Sequence, residues 1–146
     1  KRRGIPCPEV SGVFRISGFS RDAVRYLPLA GKTLRQVIQT DAALQDLAEK
    51  LGRFVAGLHE SGVYFRSLHL GNIVLTPDGA LGLIDIADLR TQSGALDSNK
   101  RKRNLQRLSR DPPDCFWLCG ENKSIFDNAY AIRQREKIDM DRSHGM

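Results

Sequence analysis

The sequence predicts an α+β fold, with short strands in two separate regions and helices over the remainder. Three observations carry that prediction. Two β-rich runs, Val10 to Ile16 and Ala23 to Leu27, flank a turn-like break. Leu44, Leu47, Leu51, Phe54, Val55 and Leu58 recur at three- and four-residue steps and mark a long amphipathic helix. A second pair of β-rich runs, Ile73 to Leu75 and Leu81 to Ile84, brackets Thr76-Pro77-Asp78-Gly79, which reads as a hairpin turn.

Along the chain, Lys1 to Pro8 reads as a loop, because two prolines and a glycine break any period. Residues 17 to 22 form the turn of the first hairpin, and Pro28-Leu29-Ala30-Gly31 stops its second strand. A short helix is expected from Thr33 to Ile38. The long helix is expected over Asp41 to Glu60, with Thr40 or Asp41 as its cap and Gly62 as the left-handed residue after its end. Asp85 leaves the second hairpin directly. From Ser98 to Arg110 the chain carries basic residues and no acid, with Leu105 and Leu108 as a thin stripe, so a basic helix is expected there. Asp111-Pro112-Pro113-Asp114 would end it. Phe116, Trp117 and Leu118 look like a packing patch, a last helix is expected near Ser124 to Ile138, and the tail from Asp139 to Met146 is expected to fray.

Composition narrows the functional classes. The chain has 146 residues, 40% of them hydrophobic and 27% charged, which suits one soluble domain or part of one. No apolar run approaches the ~18 residues of a membrane span, and no signal peptide opens the sequence. The chain starts at Lys1 rather than Met, so a piece of something longer is expected. A net charge of +6 favours an anionic partner. Three cysteines argue against a disulfide scaffold and for a reducing cytoplasm. Cys115 and Cys119 lack the second close pair that a zinc site would need.

The informative segment is a long helix, a loop carrying Arg66 and Asn72, a hairpin, and then Asp85. Asn72 and Asp85 offer hard oxygen ligands that suit magnesium, and magnesium offsets charge in phosphoryl transfer. The run Phe65-Arg66-Ser67-Leu68-His69-Leu70-Gly71-Asn72 followed by Asp85-Ile86-Ala87 resembles the loop and metal motifs of the protein-kinase-like fold. Within that superfamily the wording from Leu58 to Tyr64, Leu68 to Leu75 and Gly82 to Asp85 is most similar to the bacterial lipopolysaccharide kinase (Kdo/WaaP type) family. Arg3 to Val10 and the basic stretch near Arg101 to Arg107 are similar to that family too.

The resemblance implies that residues 1–31 are a remnant of the N-lobe, its last strands and hinge. Residues 32–146 would be a mainly α-helical C-lobe with catalytic loop and basic helix. Tyr26, Leu27 and Leu29 would lie at the hinge that meets the adenine of ATP. Asn72 and Asp85 would bind Mg2+, and Ser67, Arg66 and His69 would form the catalytic loop. The implied activity is transfer of the γ-phosphate of ATP to a sugar hydroxyl of lipopolysaccharide core. The implied place is the cytoplasm, with peripheral contact to the inner membrane through Lys100 to Arg110. No nucleic-acid partner is expected, since the basic stretch has no interleaved aromatics.

Three departures qualify the resemblance. Ser67 stands where the family has its catalytic aspartate, and serine cannot act as a general base at neutral pH. Phe65 replaces the bracing histidine, and a buried aromatic would hold the backbone by packing. No phosphate loop or strand lysine precedes the loop in this sequence, so the fragment alone is expected to be inactive. Other readings stand beside these. Ser67 reads as a loop hydroxyl or a hydrogen-bond partner of the acceptor. His69 sits near the transferred phosphate or simply packs. Arg66 pairs with an anion or with Asp88, and Asp88 is the nearest spare carboxylate for a surrogate base. The whole reads as a kinase, as a pseudokinase that binds nucleotide without transfer, or as a basic adaptor. Restoring a carboxylate with Ser67→Asp is expected, on sequence grounds, to raise the rate of an active enzyme.

Overall fold

A computed structural model describes residues 4–16, 21–40 and 46–145, and gives the backbone alone for 9–16 and 21–27. Strands β1 (Glu9–Ile16) and β2 (Arg21–Leu27) pair antiparallel, with an irregularity between Val10 and Gly12. Of the turn expected over 17 to 22, residues 17 to 20 lie outside the described residues, and Arg21 and Asp22 already belong to β2. A two-residue strand β3 (Lys32–Thr33) then leads into helix α1 (Leu34–Thr40).

Helix α2 (Leu47–Glu60) is the organising element. It buries Leu47, Leu51, Val55 and Leu58, in the expected phase. Its start differs from the expectation. Asp46 occupies the N-cap position, Thr40 ends α1 with its hydroxyl donating back to Gln36 O at 3.0 Å, and Asp41 and Leu44 lie outside the described residues. The far end is as the sequence indicates. Gly62 has φ +76°, and a Cβ there would meet Gln92 O and Gly94 O at 2.4 Å, so only glycine fits.

After Gly62 come β4 (Val63–Phe65), β5 (Ile73–Leu75), β6 (Leu81–Leu83) and β7 (Leu89–Thr91). The hairpin β5–β6 is antiparallel with Ile73 opposite Leu83, as expected, and β3 joins its outer edge. β4 and β7 pair separately, Phe65 opposite Leu89. Strands β3, β4 and β7 are too short to show a period, so the sequence does not signal them.

Helices α3 (Ser98–Leu108), α4 (Pro112–Leu118) and α5 (Glu121–His144) complete the chain. Asp97 caps α3, accepting from Lys100 N at 2.8 Å. Pro112 and Pro113 do end α3, and they also open α4, where a missing N–H costs nothing. The packing patch is partly wrong: Leu118 is buried, while Phe116 is 91% exposed. The tail does not fray at Asp139. Helix α5 runs to His144, helped by the Lys137–Asp141 pair at 3.0 Å. It crosses α2 closely at Gly52, where a Cβ would sit 2.5 Å from Phe126 O. No described helix is long and apolar enough to cross a membrane.

Candidate active site

The loop from Phe65 to Asn72 is held from both sides. Phe65, Leu68 and Leu70 are fully buried. Alternation therefore turns Arg66 outward and leaves Ser67 and His69 half-buried. Phe65 anchors the loop: its side chain is in the core, and its carbonyl accepts from Leu68 N at 3.1 Å and from Asn104 Nδ2 at 2.9 Å.

Asn104 belongs to a buried chain of hydrogen bonds. Its Nδ2 is spent on Phe65 O, so its Oδ1 accepts, and His59 Nε2–H donates to it at 3.2 Å. His59 Nδ1 must then be the bare nitrogen, accepting from the Tyr130 hydroxyl at 2.8 Å, and that hydroxyl accepts from Arg101 at 3.1 Å. Burial, helped by the Arg101 charge, holds the His59 pKa down to about 4, which keeps this neutral tautomer in place.

On the other side Asp114, fully buried, accepts from Leu70 N at 3.0 Å. Arg35 holds it with two bonds of 2.9 Å and reaches Asp111 at 2.9 Å. His69, Asp111 and Asp114 lie close enough to hold a cation. The Arg35 guanidinium already fills that role, so the cluster is a brace. Its hydrogen bond to Asp114 raises the Arg35 pKa further.

His69 turns into the loop. Its Nδ1 faces Gly71 N at 3.1 Å and Arg35 at 3.4 Å, and its Nε2 faces Asn72 Nδ2 at 3.0 Å. A neutral imidazole has one lone pair to offer these donors. Burial, then the charges of Arg107 and Arg35, lower its pKa. His69 is thus a neutral acceptor rather than a cation aimed at phosphate.

Asn72 Nδ2 donates to Ser67 O at 3.0 Å, which leaves Oδ1 as the amide atom for a cation. Ile84 N donates to Asn72 O at 3.0 Å, fixing Asn72 beside the residue that precedes Asp85. Asp85 is exposed and adopts φ 55°, ψ 50°. Among the described residues no other non-glycine has a positive φ. Strain of this kind collects at functional positions. The amide oxygen and carboxylate are hard donors, which fits magnesium.

Ser67 donates to Asp88 Oδ2 at 2.5 Å. Asp88 Oδ1 is buried and takes no hydrogen bond, so the Ser67 hydroxyl is the carboxylate's one partner among the described residues. The alternative Arg66–Asp88 pair is not formed. Beside this contact opens a cavity of about 500 Å3, lined by Arg66, Arg103, Arg107 and Arg110. Of the residues expected at the hinge, Tyr26 and Leu27 end β2, opposite Val10 and Glu9, while Leu29 is half-buried with Cδ2 against Gly82.

No protein-family model and no curated protein sequence matches the chain. A solved structure described as "WaaP in complex with acyl carrier protein" aligns over 97% of the chain, with TM-score 0.65 and 20% identity. The fold is protein-kinase-like. The chain spans 66% of that structure's chain, and the likeness at this identity concerns fold alone.

Sequence reasoning missed Arg35, Asp111, Asp114, His59 and Asn104. The signal in the two aspartates was absorbed by the Pro-Pro pair between them, and Asn104 was hidden in a run of cations.

Proposed function

We propose that this chain carries the metal ligands and acceptor side of an ATP-dependent phosphotransferase, with a sugar hydroxyl of lipopolysaccharide core as acceptor. The observation that carries this reading is the Ser67–Asp88 hydrogen bond, on a loop whose Ser67 carbonyl also accepts from Asn72 and in a turn that starts at Asp85. Serine alone cannot take a proton at neutral pH, but a serine donating to a carboxylate can pass one on. The acceptor hydroxyl gives its proton to Ser67 Oγ as the Ser67 proton moves to Asp88 Oδ2. The acceptor oxygen bonds to the γ-phosphorus as the bond to ADP breaks. A positioned base of this kind supplies ~10²–10⁴-fold.

Asn72 Oδ1 and the Asp85 carboxylate would hold magnesium, which offsets charge on the phosphate oxygens. Backbone from Tyr26 to Leu29 would meet adenine. The neighbour's structure contains acyl carrier protein. A protein partner therefore belongs to the proposal, as does cytoplasmic contact with the inner membrane through Lys100 to Arg110.

Ser67 in the aspartate position favours a second reading, a pseudokinase. Labelling of lipopolysaccharide core from ATP by the full-length protein decides between them. The phosphotransferase reading expects labelling that Asp85→Ala abolishes. Nucleotide binding with no labelling would leave the pseudokinase.

A further inference from the structure

Two thiols meet at the end of α4. Cys115 lies in its last turn, and Cys119, four positions on, caps it. Their Sγ atoms stand 2.9 Å apart, closer than the ~3.5–4.0 Å at which even carbon atoms pack. Cys115 is half-buried and Cys119 is exposed. A free cysteine that serves only as a small apolar side chain is ordinarily buried, and Cys119 fills no core. Among the described residues no third histidine, cysteine or carboxylate joins the pair as a metal ligand.

The geometry is close to that of a disulfide. Residues four apart on a helix have Cα atoms about 6 Å apart, inside the range a disulfide spans. Cys119 sits at the helix end with Gly120 after it, so the sulfurs can approach without breaking an interior turn. The hydrogen bond to Cys115 raises the Cys119 pKa, so the resting pair is two thiols.

What gives the pair a consequence is its neighbour. Asp114 precedes Cys115, is fully buried, and accepts from Leu70 N at 3.0 Å and from Arg35 at 2.9 Å. Helix α4 has seven residues, under two turns. Its backbone bonds tie the cysteines to that brace: Cys119 N donates to Cys115 O at 2.8 Å, and Cys115 N to Asp111 O at 2.8 Å. Closing the sulfurs from 2.9 Å to about 2.05 Å therefore draws on the same turn that carries the Asp114 carboxylate.

We propose that Cys115 and Cys119 are a reversible dithiol–disulfide pair, oxidised by peroxide, whose closure shifts α4 and loosens Asp114 from the Leu70 amide of the loop that bears Ser67 and Asn72. The exposed Cys119 sulfur, as thiolate, attacks one peroxide oxygen; the O–O bond breaks and hydroxide leaves, giving a sulfenic acid. The Cys115 sulfur then attacks the Cys119 sulfur. The S–S bond forms, the S–O bond breaks, and the departing hydroxide takes the Cys115 proton as water. The two sulfurs together lose two electrons, and peroxide is reduced to two waters. Disulfides of this kind in a reducing compartment are transient and redox-sensing, and exposed ones are readily reduced. The inference goes beyond the phosphotransferase reading and does not rest on it, since a pseudokinase would have the same bond and the same loop amide.

The test exposes the chain to hydrogen peroxide, maps it by mass spectrometry, and follows amide hydrogen exchange at Leu70 by NMR before and after. The expected result is loss of two hydrogens from the peptide that carries both Cys115 and Cys119, reversed by dithiothreitol. Leu70 exchange should quicken about 2–10-fold in the oxidised chain, the loss of about one hydrogen bond, and return on reduction. Cys119→Ser alters an exposed side chain, so it should fold as wild type, form no such bond and leave Leu70 exchange indifferent to peroxide. The inference is overturned if peroxide carries the two sulfurs separately to sulfinic acids, or links chains to one another instead. It is equally overturned if the disulfide forms and Leu70 exchange does not change, or if Cys119→Ser shows the same quickening.

Discussion

Ser67→Asp tests the site most sharply, because sequence and structure expect opposite results. On sequence the substitution restores a missing base and raises the rate. In the structure Asp88 Oδ2 already lies 2.5 Å from Ser67 Oγ, so the new carboxylate meets another one. Two unit charges 4 Å apart interact by about 4 kcal/mol at an effective dielectric of 20. The pair is half-exposed, and screening reduces this to about 2–3 kcal/mol. At about 1.4 kcal/mol per pKa unit, one carboxyl of the pair is raised by roughly two units and shares a proton with its neighbour.

The sign follows. A carboxyl whose folded pKa is raised leaves stability intact at low pH and removes it as pH climbs through the raised value. Urea unfolding of Ser67→Asp beside wild type should therefore show a deficit that grows by about 2–3 kcal/mol between pH 4 and pH 7. In the full-length protein Ser67→Asp should label acceptor more slowly than wild type. Asp88→Asn alone should lose ~10²–10⁴-fold, and Ser67→Asp with Asp88→Asn should recover part of that loss. A faster Ser67→Asp enzyme, with Asp88→Asn at wild-type rate, would refute the relay and return the missing-base reading.

Other predictions follow from buried groups. His59 is held neutral with a folded pKa near 4 against an ordinary 6.5. The unfolded chain therefore binds the extra proton, and stability should fall by about 3 kcal/mol as pH drops from 6.5 to 4. His69 adds in the same direction, Glu60, raised by burial, works against it, and comparison with His59→Gln isolates the His59 part of the slope. Arg35→Ala strands the buried Asp114 carboxylate, and denaturation should report a loss of about 3 kcal/mol, the low end for such pairs because Arg35 is 30% exposed. Gly52→Ala improves helix propensity by ~1 kcal/mol, yet its Cβ would lie 2.5 Å from Phe126 O and 2.9 Å from Ala129 Cβ. A net loss of about 1–3 kcal/mol in melting experiments is expected.

What the sequence makes legible is whatever one element decides for itself. The stripe from Leu47 to Leu58, the turn at Gly62 and the β5–β6 hairpin all obey local rules, and all are found as expected. The start of α2 is not, because the residues from Leu47 to Leu58 keep the same phase wherever the helix begins. Helix α5 runs past its last apolar residue, Met140, because charged pairs such as Lys137–Asp141 at 3.0 Å sustain its exposed end. The pairing of β4 with β7 joins three-residue segments 24 residues apart in register, Phe65 to Leu89, and no local period can announce it.

The candidate site divides along the same line. Asn72 and Asp85 stand at motif spacing and can be read from the chain. Asp88 can be read only as the nearest spare carboxylate; its contact with Ser67 cannot, because the three-residue turn after Asp85 makes it. That turn, begun in the left-handed conformation at Asp85, carries the carboxylate back to a loop 21 residues earlier. The same turn delivers Leu89 into pairing with Phe65. The β4–β7 ladder therefore fixes both ends of the Ser67–Asp88 hydrogen bond: Ser67 lies two residues after Phe65, and Asp88 one residue before Leu89. A motif comparison sees a loop that has lost its aspartate. The turn before β7 brings a carboxylate to the Ser67 hydroxyl, and for that reason the serine by itself is a poor argument for an inactive site.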